Sequence, residues 1–131
     1  MTILNLDQKA AQYAQKIISE GQQAGQAKEI ENLITKTLGV LQEQGVYAMM
    51  LFLFSRTGKE KNISPHIRQH LYGLLREIPF VQMDIPVDKA QEILKLYSDQ
   101  VCHDLDTLLL VKELYEQTLI YARYGAKAAG T

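Results

Sequence analysis

Residues 46–54, Val46-Tyr47-Ala48-Met49-Met50-Leu51-Phe52-Leu53-Phe54, are apolar or aromatic without interruption. A helix with no polar face has no side that prefers water, so this run predicts a buried central helix wrapped by the other helices of the chain. It is less than half of the roughly 20 residues needed to cross a bilayer, and charged residues flank it, so no membrane span is expected. Immediately after it the chain turns basic, in Ser55-Arg56-Thr57-Gly58-Lys59-Glu60-Lys61.

The rest of the chain repeats at helical period. Ala10, Tyr13, Ala14, Ile17 and Ile18 recur three and four residues apart, predicting a first helix over about 7 to 21 that Gly21 and Gly25 end. Ile30, Leu33, Ile34, Leu38 and Leu41 form a second stripe, and Gly45 is expected to break or kink the path into the apolar third helix. Ser64-Pro65 reads as the start of a fourth helix, with Ser64 as cap and Pro65 in the first turn, where its missing N–H is no loss. Its buried stripe is Ile67, Leu71, Leu74, Leu75 and Ile78. Pro79 and Pro86 bracket a turn or extended segment. Asp88 with Gln91 resembles a capping pair for a fifth helix facing inward through Ala90, Leu94 and Tyr97. A long last helix over about 103 to 128 carries Leu105, Leu108, Val111, Tyr115, Leu119, Ala122 and Ala126 on its apolar face. No alternating β-branched run and no Asn-Gly or Asp-Gly hairpin occurs. The expected fold is all-α: a compact single-domain bundle, residues 1–131, of about five to six helices.

A single cysteine, Cys102, excludes an internal disulfide and suits a reducing compartment. Met1 to Asp7 shows no basic leader ahead of an apolar stretch, so a cytoplasmic protein is expected. The net charge of −1 conceals a segregation. Residues 56–76 hold Arg56, Lys59, Lys61, Arg68 and Arg76 against Glu60, a net of +4. Residues 77–116 hold nine carboxylates against three lysines, a net of −6. Two faces are implied, one drawing anions and one drawing a basic neighbour.

Arg68, Tyr72 and Arg76 stand four apart and so share one strip of the fourth helix. Guanidinium pairs with phosphate and tyrosine stacks on an unpaired base, which is the chemistry of a single-stranded nucleic-acid platform. Arg56, Lys59 and Lys61 arrive at the same junction, and Arg123 and Lys127 add a basic pair on the last helix, where the helix dipole also favours cations. The bland alternative for all of these is a solvated basic face. His66 and His70 have the i, i+4 spacing of a metal pair, yet the glutamate of a metalloprotease helix is missing between them, and a zinc site would need His103 or Cys102 from another helix. Asp99, Asp104 and Asp106 are read as helix caps or partner contacts rather than a Mg²⁺ site. No phosphate-binding glycine loop, nucleophile elbow or paired-cysteine motif is present; neither a catalytic residue, a metal nor a cofactor is expected.

Taken together, Gln44-Gly45-Val46, then Met50-Leu51-Phe52-Leu53, then Ser55 to Lys59, and the ending Tyr121-Ala122-Arg123-Tyr124-Gly125-Ala126-Lys127-Ala128, resemble the small-subunit family of Cmr-type (type III-B) CRISPR effector complexes. That family has an Asn-Gly-aliphatic step, a Leu-x-Phe-Leu helix ending in Ser or Lys and Gly, and a last helix closing on aromatic, basic, aromatic and alanines. Gln44 stands here for the usual Asn, and Gly125 for a commoner alanine. The resemblance implies a non-catalytic, all-helical subunit that stacks head to tail with other copies of itself. Its partners would be the backbone and large subunits of the complex and the guide and target RNA, in antiviral defence. Residues Arg56, Lys59, Lys61, Arg68, Tyr72, Arg76, Arg123 and Lys127 would then face nucleic acid. Two other classes compete: a helical adaptor that binds protein alone, and a small metal-dependent hydrolase built on His66 and His70.

Overall fold

The computed structural model describes residues 5–78 and 89–130. The expectations for Pro79, Pro86 and Asp88 lie outside the described residues.

Among the described residues six α-helices form, α1 Leu6–Gly21, α2 Ala27–Gln44, α3 Val46–Phe54, α4 Glu60–Leu75, α5 Ala90–Leu96 and α6 Leu105–Ala129, with a π-helical turn Tyr97–Val101 following α5. Among the described residues no strand occurs, and the buried apolar side chains join in one core. The all-α bundle follows from the stripes: Ile30, Leu33, Ile34, Leu38 and Leu41 are all buried, as are Ile67, Leu71, Leu74, Leu75 and Ile78. Polar residues inside the core satisfy themselves locally. The hydroxyls of Thr37 and Thr118 donate to the carbonyls of Leu33 and Leu114 one turn back, at 2.7 and 2.8 Å.

Helices α1 and α6 run side by side in the same direction, because Tyr121 reaches Asp7, Gly125 meets Ile18 and Ala129 shares a concavity with Gln22. Helix α2 runs the other way along α6, with Ala27 against Gly130 and Val46, just past its end, beside Leu108. Helix α4 is antiparallel to α1, tied by Lys9–Glu77 at 2.9 Å and by Gly73 against Tyr13. Both α1 and α2 pack against α6 and against α4, so α4 and α6 occupy opposite sides of the bundle.

Gly45 separates α2 from α3 at φ 99°, ψ −177°, a conformation essentially reserved for glycine. The kink turns α3 back along α2, but α3 is not wrapped on all sides. Val46, Met49, Met50 and Leu53 are buried, whereas Tyr47 and Leu51 are 39% and 49% exposed. The nine-residue helix lies on α2 and α4, touches α6, and is covered in part by α5 with the π turn, which leaves the Tyr47–Leu51 edge open.

Three local features differ from expectation: where α4 starts, which face α5 buries, and the exposure of Leu105. Helix α4 starts at Glu60, led in by Gly58 at φ 63°, and Pro65 sits inside it. Ser64 is therefore no cap: its hydroxyl is buried and bonds the carbonyl of Leu53, tying α4 to the end of α3. Helix α5 turns Ile93 and Leu96 inward with Tyr97, leaving Ala90 exposed, since that register buries two branched side chains where the expected one buried an alanine. Leu105 is 65% exposed, because α2 ends opposite Leu108 and Lys112 and the first turn of α6 projects beyond it.

Candidate nucleic-acid interface

The topology gathers the end of α1, the start of α2, the start of α4 and the end of α6 at one pole of the bundle. Gly130 packs against the Ala27 methyl, and Gly25 packs against Ile63. Lys59, Lys61, Arg123 and Lys127 are placed at this pole, together with Lys28. All are exposed or half-exposed.

The carboxylates at the pole are already engaged. Glu31 lies 3.6 Å from Lys28. Glu29 accepts the Gln26 backbone N–H at 3.0 Å, which holds its carboxyl below the usual glutamate range, and it also stands 3.5 Å from Lys59. Glu20 lies 2.7 Å from Nε2 of His70 and 3.6 Å from Nδ1 of His66. Among the described residues no carboxylate reaches ion-pair distance of Lys61, Arg123 or Lys127. These three cations carry the uncompensated charge of the pole. Lys127 also sits in the last turn of α6, where the helix dipole favours it.

Tyr124 is the side chain that sequence reasoning passed over. It is 69% exposed, between Arg123 and Lys127, on the last two turns of α6. The signal was present, an aromatic beside two cations and off the apolar face that periodicity gives the last helix.

The other candidates divide differently. Arg56 is a structural clamp: its guanidinium lies 3.7 Å over the Phe52 ring, Nε donates to the Phe52 carbonyl at 2.9 Å, and Nη1 stands 3.4 Å from Glu60. It thereby caps the end of α3. Arg68 is half-buried, 4.4 Å over Phe54. Tyr72 does not face outward as a stacking platform. Its hydroxyl is shut off from water, without a hydrogen-bond partner among the described residues, and within electrostatic reach of the buried Tyr97 and Tyr115. Its position on α4 flanks the buried stripe closely enough for a ring of that length to turn into the core. Arg76 is exposed but caps the opposite end of α4 beside Tyr13, roughly 20 Å along the helix from Lys61. The strip Arg68–Tyr72–Arg76 is thus not one surface, and Arg76 does not join the pole.

His66 and His70 face α1 and meet Glu20, while Cys102 lines a concavity with Tyr47 and Leu109 at the far end of the molecule. Among the described residues no group of three or more His, Cys, Asp or Glu side chains is arranged to hold a metal ion. Asp104 is an N-cap, accepting from the backbone N–H and hydroxyl of Thr107 at 3.2 and 2.7 Å, and these bonds hold its carboxyl below the usual range. No described helix is long and apolar enough to cross a membrane.

Comparison with known proteins adds nothing to this geometry: no family model, curated protein or solved structure matches the chain.

Proposed function

We propose that this chain is a non-catalytic RNA-contacting subunit, the small subunit of a type III-B CRISPR ribonucleoprotein complex, and that it presents the α2/α4/α6 pole to the sugar–phosphate backbone. The observation that carries the reading is the trio Lys61, Arg123 and Lys127, exposed at one end and unpaired with any carboxylate among the described residues, while the neighbouring described carboxylates are occupied. Fixed cations without partners attract a polyanion and release its condensed counterions. Tyr124 supplies the ring on which an unpaired base stacks, a sequence-tolerant contact suited to a guide or target strand. The resemblance in residues 44–59 and 121–128 names the assembly, and the acidic region 77–116 is assigned to neighbouring subunits.

Membership in the assembly is tested by purifying the tagged chain from its own host and sequencing the RNA that accompanies it. Enrichment of repeat-derived guide RNAs, together with larger co-purifying subunits, supports the proposal. Recovery of the chain without RNA, under low-salt conditions that preserve ribonucleoproteins, contradicts it.

A further inference from the structure

Gly45 alone separates α2 from α3, and helical hydrogen bonding closes in on it from both sides. Its N–H donates to the Leu41 carbonyl at 3.0 Å, and its own carbonyl accepts from the Met49 N–H at 3.1 Å, both at the four-residue span of an α-helix. The interruption is therefore one pair of dihedrals, φ 99° and ψ −177°, and no side chain caps the start of α3. Bringing Gly45 to helical dihedrals joins the two into a single helix from Ala27 to Phe54, about 40 Å long. The N–H groups of Val46, Tyr47 and Ala48 then donate to the carbonyls of Gln42, Glu43 and Gln44, as in any helix interior.

Straightening carries α3 and everything after it away from α1 and α2 of the same chain. The loss is large, because α1 and α2 pack chiefly on α3, α4 and α6 and only lightly on each other. The ties include Lys9–Glu77 and Lys36–Glu60, each at 2.9 Å, and the bond from the Tyr121 hydroxyl to Asp7. Each of them joins the chain before Gly45 to the chain after it, so a second copy opened in the same way restores them all. We propose that Gly45 is the hinge of a domain-swapped dimer, in which α1 and α2 of each copy pack on α3 to α6 of the other. The glycine itself holds the balance toward the single chain, since it tolerates the kink and is a poor helix former. This goes beyond the RNA reading and stands independently of it, because the cationic pole is rebuilt in each half of the dimer.

Exchange requires each copy to open its core, so monomer and dimer interconvert slowly and separate by size-exclusion chromatography with light scattering. Gly45→Ala strains the kink and favours the straight helix at both hinges of the dimer, and should raise the dimer association constant about a hundredfold or more. Wild type unfolded and refolded at millimolar concentration should yield a minor dimer of the same kind. A Gly-Gly insertion after Gly45, which frees the chain to turn back, should abolish the dimer in both backgrounds. In dimers refolded from an equal mixture of isotope-labelled and unlabelled chains, isotope-filtered spectra should show Ile18 in contact with Gly125 across chains. A Gly45→Ala protein that stays monomeric at millimolar concentration, an Ile18–Gly125 contact confined to one chain, or a dimer indifferent to the insertion would each overturn the proposal. Should Gly45→Ala not refold, wild type decides: its dimer, with the contact across chains, supports the hinge, and its failure to dimerise overturns it.

Discussion

Tyr97 and Tyr115 meet hydroxyl to hydroxyl at 2.6 Å in the core, joining the π turn to α6 with both rings fully buried. Each hydroxyl is the partner of the other, and the Tyr72 hydroxyl, buried without a hydrogen-bond partner among the described residues, lies within electrostatic reach of the pair. The Tyr97–Tyr115 bond ties the π turn to α6. The π-helical geometry allows it, by setting Tyr97 inward beside Leu96.

Replacing Tyr97 by Phe leaves the Tyr115 hydroxyl buried and unpaired, which should destabilise the protein by about 1–3 kcal/mol in denaturant titration. Burial raises the ionisation range of both phenols. Their folded-state values lie above the unfolded value near 10, so their contribution is complete below about pH 10 and is lost as the pH rises further. The double variant Tyr97→Phe with Tyr115→Phe should flatten that alkaline loss, measured as melting temperature against pH.

Glu60 behaves in the opposite sense. A hydrogen bond from Lys36 at 2.9 Å, reinforced by Arg56, holds its carboxyl below the usual range. Its stabilising contribution is present above the ordinary glutamate value of about 4.3 and disappears as the pH falls through the lower folded-state value. Glu60→Gln should melt earlier than wild type at neutral pH and lose less on acidification, so that the two curves converge in acid.

Two glycines should respond with opposite signs. Gly45 occupies φ 99°, ψ −177° with open space around its Cα, so Gly45→Ala suffers backbone strain alone and should cost about 1–3 kcal/mol. Gly39 lies inside α2, also with open space, and Gly39→Ala should stabilise by about 0.5–1 kcal/mol through helix propensity. Chemical denaturation of both variants checks the pair.

Helical periodicity carried most of the fold. The α2 and α4 stripes needed no tertiary information, and neither did the stop at Gly21 or the break at Gly45. What escaped was decided by neighbours distant in sequence. Pro65 looked like a helix start, because nothing local shows that Gly58 begins α4 a turn and a half earlier or that Ser64 is needed by Leu53. The exposure of Leu51 depends on how far α2, α4 and α5 reach around α3. For the same reason the cationic site was legible as a set of residues but not as a surface. Lys127 and Lys61 share an end of the bundle only because α6 and α4 each pack their ends near the start of α2 and the loop before it, and Tyr72 and Arg76 leave the set through their places on α4.

Tyr72 and Tyr124, each flanked by cations in the sequence, should separate by experiment. Tyr124→Ala should lower affinity for a single-stranded oligouridine by about 5- to 150-fold, the worth of one stacked base, without changing the salt slope. Tyr124→Phe should keep the affinity. Tyr72→Phe should leave RNA binding untouched, since its ring and hydroxyl are turned toward the core.

The salt dependence of RNA binding, followed by fluorescence anisotropy, tests most directly whether the pole grips a polyanion. Wild type should bind single-stranded RNA with an affinity that falls steeply with salt. Converting Lys61, Arg123 and Lys127 together to glutamine should reduce the log–log slope by about 2, from about 0.7 for each phosphate no longer neutralised, while thermal stability is retained. Arg56→Gln should instead lower stability and spare the slope. An unchanged slope in the triple variant, or no binding by wild type even at low salt, would contradict the assignment of this surface to nucleic acid.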